Sequence, residues 1–194
     1  MTDKIDILRL VSEALLNGKI SDAKETALDY PFEKIEMQKK NYMGEFQSTQ
    51  LFLRDGFIDR YSGEKLVFPG LLRLLSVLLP NEFPFHPNWK MSETHRMYWE
   101  LFPTVDHIVP MARGGLDEKA NWVTTSMLLN SAKSNWTLDE LNWSLFPVGN
   151  LQTWDGLINL FIQLVDKFPQ YKNHKYISTW FNAANKSIDF HSNN

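Results

Sequence analysis

Val105-Asp106-His107-Ile108-Val109-Pro110-Met111-Ala112-Arg113-Gly114-Gly115, followed by Asn121-Trp122 and then by Asn130-Ser131-Ala132-Lys133, is the stretch from which the rest of the chain is read. A carboxylate stands next to a histidine, a Gly-Gly turn signal follows, and two asparagines lie downstream. The β-branched runs Pro103-Thr104-Val105 and Ile108-Val109 predict a strand that stops at Pro110. Trp122-Val123-Thr124-Thr125 is a second β-prone run. Ser126 to Ser134 contains Met127, Leu128, Ala132 and Lys133, which favour helix. The predicted order is therefore strand, loop, strand, helix. Asn130 and Lys133 are three positions apart and share a helix face. If that face packs across the hairpin, Asn130 meets Asp106 and Lys133 reaches toward a phosphate.

These residue types suit hydrolysis of a phosphodiester with one hard metal ion. Asp106 supplies an oxygen ligand of the kind Mg²⁺ prefers, and the Asn130 amide oxygen supplies another, with water and substrate phosphate completing the shell. Imidazole titrates near neutral pH, so His107 is the candidate base that takes a proton from water. Asn121 offers donors and acceptors for pinning the loop after His107. Arg113 and Lys133 are candidates for phosphate contact or for stabilising developing charge. Taken singly each residue has an ordinary reading: Asp106 as a strand-end cap, His107 as a satisfied polar residue, Asn130 as an exposed helix residue. The ordered set carries the inference.

The set resembles the HNH nuclease motif, the ββα-metal finger. The resemblance covers roughly residues 52–136, and its specific part runs from Thr104 to Lys133. His107 to Asn121 is fourteen positions and Asn121 to Asn130 is nine. With Asn at position 130 this is the Asp-His…Asn…Asn form, similar to the HNH domain of CRISPR effector nucleases and to phage junction resolvases. The resemblance implies an α+β fold, a ββα-metal finger embedded among α-helices. It also implies a DNA endonuclease that depends on Mg²⁺, Mn²⁺ or another divalent cation, with a restriction or phage-defence role compatible. A non-catalytic nucleic-acid-binding module on an HNH scaffold is the alternative. Many proteins of this kind hold the finger with a four-cysteine zinc site. The matching positions here are Asp59, Ser62, Ser126 and Leu129, and none is a thiolate, so no structural zinc is expected there.

Composition bounds the rest. At 194 residues the expectation is one compact domain, 1–194. Within it lie an N-terminal helical region (1–50), the nuclease core (52–136) with an insertion at about 68–101, and a C-terminal helical region (137–194). Seven Trp and thirteen Phe imply a substantial core. No apolar run reaches membrane-span length and the N-terminus lacks a secretory plan, so a cytoplasmic protein without membrane association is expected. The absence of cysteine fits that compartment. The net charge of −3 is unusual for a nonspecific DNA binder. It argues for modest affinity, or for a protein partner or homodimer that helps deliver the substrate.

Along the chain, Ile5, Leu8, Val11 and Leu15 predict a helix over 4–17 stopped by Gly18, and Ser21 is a candidate cap for a second. Residues 33–50 are polar and carry no assignment. Arg54 to Phe68 reads as a hairpin and Gly70 to Leu79 as a helix. Ser92 is a candidate cap for another helix through Leu101. In Phe83-Pro84-Phe85-His86-Pro87-Asn88-Trp89-Lys90 the aromatics either stack on exposed bases or pack on one another as a rigid loop, and the second is favoured. His86 and His95 are isolated and read as structural or surface residues. Thr137-Leu138-Asp139-Glu140 is a capping box. Helices are predicted over Trp154–Phe168 and Lys175–Lys186, with a frayed tail from Asp189 to Asn194.

Overall fold

The computed structural model describes residues 3–31, 34–35 and 43–192. The chain divides into two units, Met1–Glu36 and Met37–Asn194, a boundary that falls inside the expected N-terminal region. In the first unit α1 (Lys4–Leu16) is capped by Asp3, whose carboxylate accepts the Ile5 N–H at 3.3 Å. The helix ends at Asn17 before Gly18, whose φ of 73° favours a residue without Cβ. α2 (Ile20–Ala27) starts after Lys19, so Ser21 lies inside the helix rather than at its cap. α1 packs on α2, with Ile7 and Ala23 buried.

The second unit carries the core. α3 (Glu45–Arg54) begins in the described part of 33–50, where no element is predicted; residues 33 and 36–42 of that stretch lie outside the described residues. The Gln47 side chain reaches back to accept from the Gly44 N–H at 2.9 Å, the half of a capping box that a glycine N-cap allows. The hairpin expected over 54–68 is reduced to a single bridge, Ile58 with Lys65. The reason is the chain path: Arg54 ends α3, and Gly56 and Phe57 both take positive φ to turn out of it. Phe57 and Leu66 are then fully buried. α4 (Pro69–Leu78) begins with proline at its first turn, where no N–H is needed. It buries Leu71, Leu72 and Leu74.

The segment up to α5 (Met97–Leu101) contains a 3-10 turn at Met91–Glu93, so Ser92 lies within that turn and caps no long helix. Its aromatics pack on each other: Phe83 stacks on His95 at 4.4 Å, and Phe85 and Trp89 contact Tyr98 at 4.8 and 5.8 Å. His86 accepts the Asn88 N–H through Nδ1 at 3.1 Å. Both histidines are thus tied into the loop. Tyr98 and Phe68 are fully buried, so this stretch is part of the core.

β1 (Pro103–His107) pairs antiparallel with β2 (Trp122–Ser126), in register from Pro103 opposite Ser126 to His107 opposite Trp122. The molecule is thus α+β, with one two-stranded sheet among helices in the described residues. β1 stops at His107, short of the predicted Ile108-Val109: Ile108 N–H still donates in register to Asn121 O at 2.8 Å, but Val109 then bonds the Asn121 side chain instead of a strand backbone. α6 (Met127–Lys133) follows β2 directly, capped by Ser126 Oγ, which accepts the Leu129 N–H at 3.1 Å. The capping box of Thr137 and Glu140 opens α7 (Leu138–Leu141), a single turn ended by Asn142 at positive φ. α8 (Ile158–Lys167) is shorter than predicted, since Leu157 before it has positive φ and its N–H is held by Asp155 Oδ1 at 2.8 Å. α9 runs Lys175–Ser192, through part of the expected frayed tail; residues 193–194 of that tail lie outside the described residues. Ile158, Phe161, Val165, Ile177 and Trp180 join Phe52, Phe57 and Phe68 in one core. Among the described residues no helix is long and apolar enough to cross a membrane.

Candidate functional site

The end of β1 and the loop after it are held by a dense polar network. Asn121 sits where the loop returns to the sheet. Its Oδ1 accepts the Val109 N–H at 2.9 Å, and its Nδ2 donates to Val109 O at 2.9 Å and Leu116 O at 2.8 Å. The loop is so tight that a Cβ on Gly115 would stand 1.8 Å from Val109 O. Gly114 takes φ of 86°, so Gly114-Gly115 supplies one positive-φ turn and one close approach.

His107 is buried and its ring is fixed from one side. Nε2 lies 2.8 Å from Asp117 Oδ1. The Trp122 indole N–H lies 3.0 Å from that same oxygen and 3.2 Å from His107 Nε2. These contacts cannot all form at once if Nε2 carries a hydrogen. The carboxylate is the nearer and charged acceptor, so we assign both N–H groups to Asp117 Oδ1. That tautomer leaves the Nδ1 lone pair for a proton. His107, Asp117 and Trp122 line one end of a cavity of about 520 Å³, with Phe102, Val105 and Trp180 among its other walls.

Asp106 points elsewhere. Its Oδ2 accepts from Tyr61 OH at 2.7 Å and pairs with Lys133 Nζ at 2.9 Å. Lys133 also donates to His107 O at 2.8 Å and is fully buried, 5.7 Å from the Tyr61 ring centroid. Burial, then the Asp106 charge, push the Tyr61 hydroxyl well above its ordinary range. Lys133 therefore meets Asp106, where Asn130 was expected, and does not reach for phosphate. The reason is the direction of α6. It leaves β2 at Ser126, opposite the start of β1, so its first turns pass Thr104 and its last turn passes Asp106. Asn130 accordingly donates through Nδ2 to Thr104 Oγ1 at 2.9 Å and to Val105 O at 3.4 Å.

Arg113 pairs with Glu140 rather than standing open for phosphate. The Thr137 backbone N–H, ahead of the Arg113 contact, holds the Glu140 carboxyl below its ordinary value. Asp59, one of the four positions that the resemblance would give to a zinc ligand, is buried. Its carboxylate accepts from Tyr61 N–H at 2.9 Å, Thr125 Oγ at 3.0 Å and Ser126 N–H at 2.8 Å. A buried carboxylate thus ties the turn at 59–64 to the end of β2. Asp55, also fully buried, accepts from Thr124 N–H at 2.7 Å and balances Arg54 and Arg60.

Four of the residues singled out in the sequence, Asp106, His107, Asn121 and Lys133, therefore lie around the end of β1, with Asn130 near its start. Asp117, Trp122 and Tyr61 were missed. Asp117 had a readable signal, a carboxylate ten positions after His107 and two after Gly115. Tyr61 had none, since its partner is 45 positions away.

Among the described residues no group of three or more His, Cys, Asp or Glu side chains forms a metal cluster. Asp106 lies beside Lys133, and Asn130 beside Thr104, two positions earlier on β1. Asp106 Oδ1 and Asn130 Oδ1 take no part in the hydrogen bonds among the described residues, and Mg²⁺ is commonly held by one or two protein oxygens plus water and phosphate. No family model matches this chain, and no curated protein or solved structure matches it.

Proposed function

We propose that the chain is a divalent-metal-dependent endonuclease of the HNH type, built on a ββα-metal finger, that hydrolyses phosphodiester bonds in DNA. The single observation that carries this reading is the His107–Asp117 pair at 2.8 Å, facing a cavity at the end of the hairpin. An imidazole whose one ring nitrogen is held by a carboxylate is a base prepared, through the other, for water. His107 Nδ1 takes the proton as the water oxygen attacks phosphorus. The bond from phosphorus to the leaving sugar oxygen breaks, and that oxygen gains a proton from solvent. Asp117 and Trp122 hold the ring, and Asn121 holds the loop that carries Asp117. Asp106 and Asn130 would hold Mg²⁺ or Mn²⁺ through the oxygens named above. When bound, such an ion supplies Lewis-acid stabilisation of the charge developing on phosphate.

A second reading, a non-catalytic nucleic-acid-binding module on the same scaffold, is favoured by one observation. One Asp106 oxygen is already neutralised by a buried ammonium. Supercoiled plasmid incubated with the protein and Mg²⁺, with and without EDTA, separates the two. Nicked or linear product that EDTA abolishes supports the nuclease. Bound but uncut plasmid supports the module.

A further inference from the structure

The cavity at His107 adjoins a second one of about 420 Å³, and the two share Trp122 and Met43 as walls. The first is aromatic, with Phe102, Trp122 and Trp180 around it. The second is edged by Phe46, Arg54 and Lys119. Lys186 adds a third cation, its ammonium 4.3 Å from the Phe46 ring centroid. Arg54 is balanced by Asp55, whereas Lys119 and Lys186 enter none of the ion pairs among the described residues. On a chain of net charge −3, basic groups thus gather beside an aromatic cavity that ends at a polarised histidine.

We infer that these adjoining cavities form a track for a single-stranded nucleic-acid segment. One unstacked base lies in the cavity beside His107, and the neighbouring phosphates lie along Lys119 and Lys186. Aromatic walls accept any base, because every base has a π-face, and a cationic edge follows the backbone. Charge complementarity selects a polyanion over an apolar ligand at the second cavity. In an intact duplex the base is stacked and paired, and drawing it out carries a cost that an unpaired strand avoids. The substrate class is therefore DNA that presents an unpaired stretch at the cut. This deepens the nuclease reading and rests on it for the role of His107.

The test uses the wild-type chain in EDTA, so that binding is read without cleavage. Fluorescence anisotropy compares a labelled strand of about 12 nucleotides with the duplex of the same sequence. A 2-aminopurine in the strand reports stacking. The inference predicts at least about tenfold tighter binding of the strand, with quenching of the 2-aminopurine. Ser48→Trp fills the first cavity and should remove the quenching and weaken strand binding about tenfold, leaving duplex binding as it was. Lys119→Glu, on an exposed side chain, should weaken strand binding and lower its salt slope by about one. Duplex binding as tight as strand binding, or unchanged strand affinity in a folded Ser48→Trp chain, overturns it. If Ser48→Trp does not fold, unchanged strand affinity in Lys119→Glu overturns it. Strand-selective binding by a chain that cuts no DNA with Mg²⁺ supports the track and sinks the nuclease. Metal-dependent cutting of duplex with no strand preference does the reverse.

Discussion

The ammonium of Lys133, without exposure to solvent, sits 2.9 Å from Asp106 Oδ2 and 2.8 Å from the carbonyl oxygen of His107. One cation thus ties the side chain of one residue of the Asp-His pair to the backbone of the other. Removing one partner of a buried pair leaves an uncompensated charge, which typically costs about 3–5 kcal/mol. Lys133→Met is expected to lose stability of that order in urea unfolding. A loss below about 1 kcal/mol would place Lys133 among exposed pairs of little consequence.

Asp117→Asn removes the charge that fixes the His107 tautomer while keeping the side chain's size. Cleavage is expected to fall by about 10²–10⁴, with DNA affinity little changed. Nitrogen-15 shifts of the His107 ring should show a larger share of the Nδ1–H form. Full activity with an unaltered tautomer ratio would remove Asp117 from the site.

How much of this was legible in the sequence follows from how local each signal was. The helices α4, α8 and α9 are legible as apolar residues at helical spacing, and their ends move by a few residues where features such as the positive-φ Leu157 intervene. α3 was unreadable because Glu45-Phe46-Gln47-Ser48-Thr49-Gln50 has no clear apolar face, and Thr49 is buried by tertiary packing. The sequence order of Asp106, His107, Asn121 and Asn130 points to residues that gather around β1. It could not say that α6 docks so that Lys133, one turn beyond Asn130, lands on Asp106. Nor could it pair Tyr61 with Asp106 or Asp59 with Ser126, whose contacts span 45 and 67 positions.

Asp59 offers a third expectation. Its carboxylate satisfies two backbone N–H groups and one hydroxyl in the interior. Asp59→Ala leaves those donors unpaired, at about 1–3 kcal/mol for each buried group. The variant should therefore lose about 3 kcal/mol or more, read as a lower denaturation midpoint with the same slope. A near-neutral result would mean that the 59–64 turn is held by packing alone.

Alkaline titration gives a fourth. Burial, the largest cause in each case, pushes the hydroxyls of Tyr61, Tyr98 and Tyr176 up, the latter two to about 12. The unfolded chain releases these protons near pH 10, and the folded chain retains them. Stability from these groups is thus fully present below pH 10 and is lost as pH rises toward the folded values. Absorbance at the phenolate band should show three of the six tyrosines silent near pH 10 until the protein unfolds. Titration of all six in the folded state would contradict the burial of the Tyr61 cluster.

The most direct measurement of the central claim is plasmid cleavage by the wild-type chain and by His107→Ala, purified identically, across a Mg²⁺ and Mn²⁺ series. A missing general base typically costs about 10²–10⁴ in rate. The account predicts EDTA-sensitive cleavage by the wild type, reduced by that factor in His107→Ala, with the variant still folded and still binding DNA. Equal cleavage by the two proteins, or none by the wild type at any metal concentration, would contradict it.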